Sequence, residues 1–417
     1  MPTASWKTAE MSSGISVLAK PAGAICNLDC TYCYYLAKQS LYPHARFKMT
    51  DAVMERFLRQ CIEVQPGPVA TIAWQGGEPT LMGLEFFRRA VEIADRYRRP
   101  GQSVDHVLQT NGTLLNEEWA DFLAAHDFLV GISIDGPREL HDALRTDKRG
   151  RPTFDRVTRG LTFLRRAGVR YNVLCAVNAV NAGRPRRVYR FLRDECGSEF
   201  MQFIPIVQRA SAATRAGAVT EASVSAAAWG TFLIEVFDEW IAGDVGKVFV
   251  QMFESTLGSW MGLGPALCVF GKTCGASIAV EHNGDVYSCD HFVGPEHLLG
   301  SIRGGRLVDL VSSERQRAFG DDKHRRLPAK CRSCRVLLLC WGECPRNRFV
   351  TTDDGEEGLN YLCAGYEAYF RHTAAAMRAM AALLVAGRPA ADVMAMASAP
   401  LSTHLCKGGP TRPPEVP

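Results

Sequence analysis

The sequence predicts an α/β protein in which a parallel sheet, closed or nearly closed into a barrel, is followed by a smaller cysteine-rich domain. The chain has 417 residues, which is long for a single domain. Strand-like and helix-like segments alternate six times between Ile15 and Ile206, a pattern typical of parallel sheets. Cysteines then become frequent from Cys268 to Cys363, which indicates a small fold organised by metal rather than by a large core.

The six candidate strands are short runs of β-branched and other apolar residues. Apolar residues recur at helical spacing in the segments that follow them, for example in residues 53–62. In such folds the chemistry lies in the loops that follow the C-terminal ends of the strands. The predicted strands are residues 15–20, 69–75, 104–109, 128–134, 171–177 and 200–206.

The predicted organisation has four parts. They are an N-terminal tail at 1–14, a barrel domain at 15–240, a cysteine-rich domain at 241–370, and a C-terminal helix with a disordered tail at 371–417. Apolar residues between Trp229 and Trp240 predict a helix at the end of the barrel domain. The alanine-rich run 366–385 predicts the last helix, and the prolines beyond Gly387 predict disorder.

Composition excludes several classes of protein. The formal net charge of +4 is too small and dispersed to favour nucleic acid or an anionic membrane surface. The N-terminus lacks the apolar stretch of a secretion signal, and the apolar segment 374–386 is short and contains Arg378. We therefore expect a cytoplasmic protein without a membrane or nucleic-acid partner. Fifteen cysteines in a reducing compartment indicate metal binding rather than disulfides.

Three cysteines form a compact motif directly after the first predicted strand: Cys26, Cys30 and Cys33. Three thiolates on one loop hold three irons of a cubane cluster and leave the fourth iron open to a small molecule. Incomplete ligation is typical of a reactive metal site. The alternative is a zinc site completed by a distant His or Cys.

A second array contains eight cysteines, enough for two clusters with four protein ligands each and no open iron. A filled ligand shell suits electron transfer or structural support. The alternative is a pair of structural zinc sites, and sequence spacing alone does not separate the two. The eight are Cys268, Cys274, Cys289, Cys331, Cys334, Cys340, Cys344 and Cys363.

The first cysteine motif, together with residues 75–80 (Gln-Gly-Gly-Glu-Pro-Thr) after the second strand, resembles the radical S-adenosylmethionine (SAM) superfamily. The resemblance implies a partial (β/α)6 TIM-type barrel and a reduced [4Fe–4S] cluster. That cluster cleaves SAM to a 5′-deoxyadenosyl radical. It also implies a SAM pocket in which Tyr32 and Ile206 contact the adenine, Gly77 meets the methionine amino group, and Ser133 with Arg145 holds the carboxylate and ribose.

Without the resemblance, these pocket residues have ordinary interpretations. The pair Gly76 and Gly77 is then only a tight turn, and Arg145 is a solvated charge. Glu78 is a better candidate for a ligand-binding residue, because a carboxylate at the C-terminal end of a strand lies where ligands bind. The polar residues 109–111 are further candidates, as donors to a bound peptide backbone.

The spacing of the eight later cysteines resembles the SPASM extension of radical SAM peptide-modifying enzymes. Within that group it is most similar to the anaerobic sulfatase-maturating enzymes. The resemblance implies three [4Fe–4S] clusters and SAM as cofactors. By position it assigns one auxiliary cluster to Cys268, Cys274, Cys289 and Cys344, and the other to Cys331, Cys334, Cys340 and Cys363.

Asp290 directly follows a predicted cluster ligand and matches the general base of that family. A base must lie within hydrogen-bond reach of the proton it removes, and we expect burial to raise the pKa of this carboxyl. The alternative is a carboxylate that only orients its loop, and His291 is placed to share the task. Four other cysteines fit no ligand spacing. We expect Cys61, Cys175 and Cys196 to be buried hydrophobes and Cys406 to lie in the tail.

The implied enzyme is a radical SAM oxidoreductase that converts a Cys or Ser of a target sulfatase to Cα-formylglycine without oxygen. Its partners are then a sulfatase polypeptide or peptide and reduced flavodoxin or ferredoxin as electron donor. One alternative is a maturase of a ribosomally made peptide that forms a thioether or carbon–carbon crosslink. Another is a non-catalytic iron–sulfur or zinc scaffold, against which the incompletely ligated triplet argues.

Overall fold

The computed structural model describes residues 15–65, 67–210 and 218–397. Its strands are β1 (Ser16–Lys20), β2 (Val69–Trp74), β3 (Ser103–Thr110), β4 (Leu129–Ser133), β5 (Arg170–Val177), β6 (Phe200–Pro205), β7 (Phe249–Val250), β8 (Ser277–Glu281), β9 (Asp285–Tyr287), β10 (Leu298–Ser301), β11 (Arg348–Val350) and β12 (Leu359–Asn360). Strands β1 to β10 form one sheet in the order β10-β9-β8-β1-β2-β3-β4-β5-β6-β7, and β11 pairs with β12.

Helices lie between most of these strands. They are α1 (Asp51–Glu63), α2 (Leu84–Tyr97), α3 (Glu117–Ala125), α4 (Arg138–Asp142), α5 (Phe154–Arg166), α6 (Pro185–Arg190), α7 (Ala226–Gly243), α8 (Gln251–Trp260), α9 (Leu307–Val311), α10 (Glu314–Arg325), α11 (Ala329–Arg332), α12 (Leu337–Cys340), α13 (Cys363–Val385) and α14 (Val393–Ala397).

The six predicted strands are confirmed as β1 to β6, each within two residues of its predicted ends. Neighbouring strands from β1 to β6 pair in parallel, so their C-terminal ends meet at one edge of the sheet. The partial barrel is therefore confirmed. Among the described residues, β7 and β10 are the two ends of the sheet, and the barrel is left open.

Local packing explains the first helix and the unassigned cysteines. The Thr50 side chain accepts a hydrogen bond from the Val53 amide at the start of α1. The apolar face of this helix, including Cys61, is buried. Cys175 and Cys196 are also buried in the core, which confirms that all three act as small hydrophobes. Cys406 lies outside the described residues.

The cysteine-rich segment continues the barrel's own sheet. Strand β8 pairs in parallel with β1 along its whole length, from Ser16 opposite Ser277 to Lys20 opposite Glu281. Strands β9 and β10 then extend the sheet with antiparallel pairings. Strand β9 runs back along β8, and Asp290 in the segment that follows forms an ion pair with Lys20 at the end of β1.

Two helices that are distant in sequence, α7 and α13, pack in direct backbone contact. A Cβ added to Gly365 in α13 would lie 2.1 Å from the carbonyl oxygen of Ala226, at the start of α7. One added to Gly230 in α7 would lie 2.8 Å from the Gly365 Cα atom. Only glycine allows this approach. Since α13 begins at Cys363, the contact also fixes one of the predicted cluster ligands.

The predicted disorder beyond Gly387 is wrong for residues 390–397. A helical turn at Ala390–Asp392 and helix α14 follow the last predicted helix. Val393 is buried in the main core, so the segment has an apolar contact that its proline-rich surroundings do not indicate. Residues 398–417 lie outside the described part. Within the described ranges, no helix is long and apolar enough to cross a membrane.

Candidate functional site

The first cysteine loop lies at the C-terminal edge of the parallel sheet. Its Asn27 side chain donates to Thr113 Oγ1 at 2.9 Å, and Asn111 Nδ2 donates to Asn27 Oδ1 at 2.9 Å. The amide of Asp29 donates to the Thr146 carbonyl at 2.8 Å. These bonds anchor the loop on two neighbouring loops at this edge of the sheet.

The three thiols of this loop lie close together. Burial, Glu78 and the other two thiols raise the pKa of Cys26 to about 12, although a backbone hydrogen bond opposes them. Burial also raises the pKa of Cys30 to about 11, and Cys33 contributes to that shift. Such thiols ionise only when a cation compensates their charge, as metal binding does. The donor set therefore fits an iron cluster.

Gly77 brings the loop after β2 against the cysteine loop. A Cβ at this position would lie 2.0 Å from the carbonyl oxygen of Ile25, so no side chain fits. The amide of Gly77 donates to Gly23 and the amide of Glu78 donates to Ile25, both at 2.8 Å. Contact between two protein loops is therefore sufficient to require glycine here.

Glu78 is a structural clamp rather than an open ligand. Its carboxylate is 1% exposed. It accepts hydrogen bonds from Thr80 Oγ1 at 2.6 Å, Thr110 Oγ1 at 2.7 Å and the Asn111 amide at 2.7 Å. Gln109 Nε2 donates to Ser133 Oγ at 3.1 Å. The side chains of residues 109–111 thus form hydrogen bonds within the barrel, and their contact with a peptide stays a prediction.

Tyr32 and Arg145 meet at a buried carboxylate. The Tyr32 hydroxyl donates to Asp135 Oδ2, and Arg145 Nε donates to the same oxygen at 2.8 Å. Asp135 is fully buried, and its second oxygen accepts from the Ala176 amide at 2.8 Å. Arg145 is thus not a solvated charge. Its Nε holds Asp135, which fixes the ring of Tyr32 beside the cysteine loop.

A cavity of about 450 Å³ opens at the end of β6 and extends to the cysteine-rich segment. Tyr32 and Ile206 both line it, so the structure brings together the two predicted adenine contacts. His291 and Arg346 line it from the other side. Gly77, Ser133 and Arg145 do not line this cavity, and their contacts with SAM remain predictions.

Asp290 lies at this interface between barrel and cysteine-rich segment, and it is 8% exposed. The ammonium of Lys20, at the end of β1, forms an ion pair with its Oδ1 atom. The Tyr34 hydroxyl donates to Oδ2 at 2.8 Å. Lys20 also donates to Gln75 Oε1 at 3.0 Å and lies 4.6 Å from the centre of the Tyr35 ring.

The expected rise in the pKa of Asp290 is wrong. Burial does act to raise it, but the Lys20 ammonium, His291 and the two donated hydrogen bonds outweigh burial. The pKa of Asp290 is therefore lowered, and the carboxylate is ionised at neutral pH. An ionised carboxylate is the form that accepts a proton.

His291 faces a predicted cluster ligand. Its Nδ1 atom lies 3.5 Å from Cys344 Sγ, and its ring packs edge-on against Tyr34 at 5.6 Å. Burial lowers the pKa of His291 to about 4, so the imidazole is neutral near pH 7. The histidine predicted to share the role of Asp290 thus contacts a thiol as well as the cavity.

The eight later thiols separate into two groups. Burial raises the pKa of Cys289 to about 12, and among its neighbours Cys268 and Cys274 add to the rise. Burial likewise raises the pKa of Cys344, with Cys289 and Cys274 contributing. The structure therefore brings Cys344 to the earlier three cysteines, as the interleaved assignment implies.

The second group surrounds a cavity of about 310 Å³. Burial raises the pKa of Cys363 to about 11, and Cys331 and Cys334 contribute. Burial also raises the pKa of Cys340, to which Cys363 and Cys331 add. All four of these thiols line the cavity, so they face one volume, as ligands of a single cluster must.

Zinc and iron clusters require different spacings of these thiols. A tetrahedral zinc ion draws its four ligands to one centre, with Zn–S bonds of about 2.3 Å. In a cubane each thiolate binds a different iron, so the sulfurs lie further apart. Among the described residues, no three His, Cys, Asp or Glu side chains converge on a single metal ion.

Three residues of the site were missed by sequence reasoning: Lys20, Tyr34 and Arg346. Lys20 is the last residue of a strand whose other residues are mostly apolar. A lysine in such a strand is unusual, and that is the one sequence signal that could have identified it. Arg346 lies over the Tyr34 ring, 4.1 Å from its centre, and forms no ion pair among the described residues. A half-buried cation without a carboxylate is available to a ligand in the cavity.

Comparison with known proteins agrees with this geometry. A model of the radical SAM superfamily matches residues 21–192, and a SPASM iron–sulfur cluster-binding domain matches residues 268–335. A serine-type anaerobic sulfatase-maturating enzyme of Bacteroides thetaiotaomicron is 44% identical, over 93% of this chain and 96% of that protein. A cysteine-type enzyme of Clostridium perfringens is 32% identical, over 86% of this chain and 96% of that protein.

A solved structure is also similar. It is native anSMEcpe with bound AdoMet and a bound peptide, at 31% identity and a TM-score of 0.80. The match covers 88% of this chain and 99% of that chain. The likeness therefore extends over both the barrel and the cysteine-rich segment.

Proposed function

The chain belongs to the anaerobic sulfatase-maturating enzymes of the radical SAM superfamily, and we propose on this basis that it oxidises a Ser or Cys side chain of a target sulfatase to Cα-formylglycine. The enzyme is a radical SAM oxidoreductase and needs no oxygen. The observation that carries the proposal is the position of Asp290, an ionised carboxylate that accepts a hydrogen bond from Tyr34, which lines the same cavity as the predicted adenine contacts.

The cofactors are [4Fe–4S] clusters and SAM. Cys26, Cys30 and Cys33 would hold the cluster that binds SAM, while the two groups of four thiols would hold auxiliary clusters. When bound, these groups supply a radical that abstracts hydrogen and sites that accept an electron. The residues around them bind, orient and deprotonate the substrate.

Asp290 would take the proton of the substrate hydroxyl or thiol. Its ion pair with Lys20 and its hydrogen bond from Tyr34 hold the carboxylate in one orientation at the cavity. Positioned proton transfer of this kind contributes about 10²–10⁴-fold to a rate. Loss of this proton and of a hydrogen atom and an electron from the substrate carbon gives the aldehyde, or a thioaldehyde that water hydrolyses.

Arg346 would bind the substrate peptide. Its guanidinium lines the cavity, packs on Tyr34 and has no carboxylate partner among the described residues. Its N–H groups can donate to peptide carbonyl oxygens, as those of Arg348 do to four carbonyls of its own chain.

Reduced flavodoxin or ferredoxin would supply the electron that activates the enzyme.

The direct experiment incubates the reduced, reconstituted protein with SAM and peptides that carry the Cys-x-Pro-x-Arg sulfatase motif under anaerobic conditions. One peptide has Cys at the reacting position, a second has Ser, and a control has Ala. Mass spectrometry and trapping of the product with a hydrazine reagent should show an aldehyde from at least one of the first two and none from the third. Release of 5′-deoxyadenosine without aldehyde from either peptide would refute the proposal.

The trapping step also separates this function from the crosslinking alternative. Oxidation of Ser and formation of an intramolecular crosslink both remove two hydrogens, so mass alone does not distinguish them. Only the aldehyde reacts with hydrazine. The relatives that cover the chain are sulfatase-maturating by name, which favours the aldehyde.

A further inference from the structure

The fully buried residues of helix α10 include no apolar side chain, and Phe319 on the same side of the helix is only partly buried. The buried residues of this 12-residue helix are Gln316, Gly320 and Lys323. Their spacing of four and three places them on one side of the helix. Buried helix faces are normally apolar, because burial of apolar area supplies the packing energy. This polar face therefore needs another reason.

Together the three residues contact the three early segments that carry ligands of the first auxiliary cluster. Gln316 Nε2 donates to the carbonyls of Gly275 and Ser288, both at 3.1 Å, next to Cys274 and Cys289. The Gly320 carbonyl accepts from the Cys274 amide at 3.1 Å. A Cβ on Gly320 would lie 2.7 Å from the Cys274 carbonyl oxygen.

Lys323 contacts the remaining early segment. Its ammonium donates to the carbonyls of Cys268 and Val269, both at 2.8 Å, and the residue is 1% exposed. Among the described residues it forms no ion pair with a carboxylate. Burial and the Arg348 guanidinium lower the pKa of Lys323, and the thiols of Cys274 and Cys268 and the carboxylate of Glu343 oppose this. These thiols are thus close enough to interact with its charge.

A buried ammonium without a directly paired carboxylate is costly, and an effective penalty of several kcal/mol is typical. The buried carboxylate of Glu343 is near enough to interact with Lys323, and four thiolates around a [4Fe–4S] cluster would add further compensating negative charge. Reduction adds one more negative charge to the cluster, so a nearby fixed cation stabilises the reduced form more than the oxidised form. Net charge and burial are among the factors that set the potential of such clusters.

We propose that the Lys323 ammonium raises the reduction potential of the auxiliary cluster held by Cys268, Cys274, Cys289 and Cys344. This inference rests on the proposed function, because it requires that cluster. The substrate carbon loses a hydrogen atom to the SAM-derived radical, and the substrate hydroxyl or thiol loses a proton to Asp290. The one electron that remains goes to the cluster, which is reduced by one unit. Lys323 makes this cluster the better acceptor.

Among the described residues, the second auxiliary group has no buried lysine equivalent to Lys323. Lys330 is adjacent in sequence to Cys331, but it is exposed and pairs with Asp353 at 3.4 Å. Arg348 interacts with Cys331 and Cys340 of the second group and with Cys274 of the first, so it does not act on one group alone. Lys323 is the buried lysine that acts on the first group.

The test compares holoenzymes carrying Lys323→Met, Lys323→Arg and the control Lys330→Met. Redox titrations followed by electron paramagnetic resonance give the midpoint potentials, and iron analysis gives about twelve irons per chain for three cubanes. In Lys323→Met one auxiliary signal should move to lower potential and the other two clusters should be unchanged. Lys323→Arg should keep the wild-type potential, and Lys330→Met should move no signal comparably. The shifted signal must persist when Cys331 and Cys334 are replaced by Ala.

Three results would overturn the inference. The first is an unchanged set of potentials in Lys323→Met at full iron content. The second is a change in the midpoint potential of the other auxiliary cluster, namely the one whose signal is lost when Cys331 and Cys334 are replaced by Ala. The third is loss of about four irons in Lys323→Met with retention in Lys323→Arg, because the lysine would then hold the cluster rather than tune it. Wild-type protein without auxiliary signals would instead refute the proposed function itself.

Discussion

Replacement of Asp290 by Asn separates SAM cleavage from substrate oxidation. The amide has the shape of the carboxylate, so its oxygen can face the Lys20 ammonium and its NH2 group can donate to the Tyr34 hydroxyl. The site therefore keeps its geometry and loses a group that can accept a proton. The cysteine loop that cleaves SAM is unchanged.

The size of the effect follows from the role of the group. Loss of positioned proton transfer lowers the rate of aldehyde formation by about 10²–10⁴-fold, or roughly 3–5 kcal/mol in the barrier. The substitution also leaves Lys20 buried without its counter-ion, which costs about 3–5 kcal/mol of stability in typical buried pairs. We expect the low end of that range, because Lys20 retains Gln75 Oε1 at 3.0 Å and the Tyr35 ring.

The assay measures 5′-deoxyadenosine and aldehyde in the same anaerobic reaction, well below the melting temperature of the variant. The ratio of deoxyadenosine to aldehyde should rise by at least about 10²-fold in Asp290→Asn. Asp285→Asn is the matched control, since Asp285 lies on the neighbouring strand and accepts from Asn283 Nδ2 at 2.8 Å. A normal ratio in Asp290→Asn would remove this carboxylate from the mechanism.

Three further substitutions test other parts of the site. In Gly77→Ala the new Cβ would lie 2.0 Å from a carbonyl oxygen of the cysteine loop, so the iron content should fall by about four per chain. The control Gly183→Ala has open space around the new Cβ and should keep its full iron content. Equal iron contents in the two variants would contradict the close contact between Gly77 and the cysteine loop. Arg346→Gln should raise the KM for peptide about 10- to 100-fold with deoxyadenosine release intact, whereas an unchanged KM removes it from substrate binding. Gly365→Ala should lower the free energy of unfolding, measured by chemical denaturation, by about 1–3 kcal/mol or more. The control Gly243→Ala places its Cβ in open space and should not. Equal free energies of unfolding in the two variants would refute the close contact between α7 and α13.

Short apolar and β-branched runs were sufficient to predict the strands, and β1 to β6 all form. The ligand sets came from the family resemblance and stay predictions, although the structure brings the thiols of the second four to one cavity. The contacts of the site were not predictable in the same way. Lys20 and Asp290 meet only because β8 pairs with β1, and nothing local in either segment indicates that pairing.

Buried polar residues do not produce the apolar periodicity from which the helices and strands were predicted. The buried face of α10 consists of Gln316, Gly320 and Lys323, so a search for apolar spacing does not detect it. Glu78 illustrates the opposite error. Its place at the end of β2 is typical of a ligand-binding carboxylate, but four donors from its own barrel occupy its oxygens.

The most direct measurement of the central claim is the yield of 5′-deoxyadenosine from the reduced, oxygen-protected holoenzyme and SAM. Wild-type protein should release it, and a variant with Cys26, Cys30 and Cys33 all replaced by Ala should release none while it retains about eight of twelve irons. Cleavage of SAM by that variant, or none by the wild type, would contradict the assignment of these three thiols.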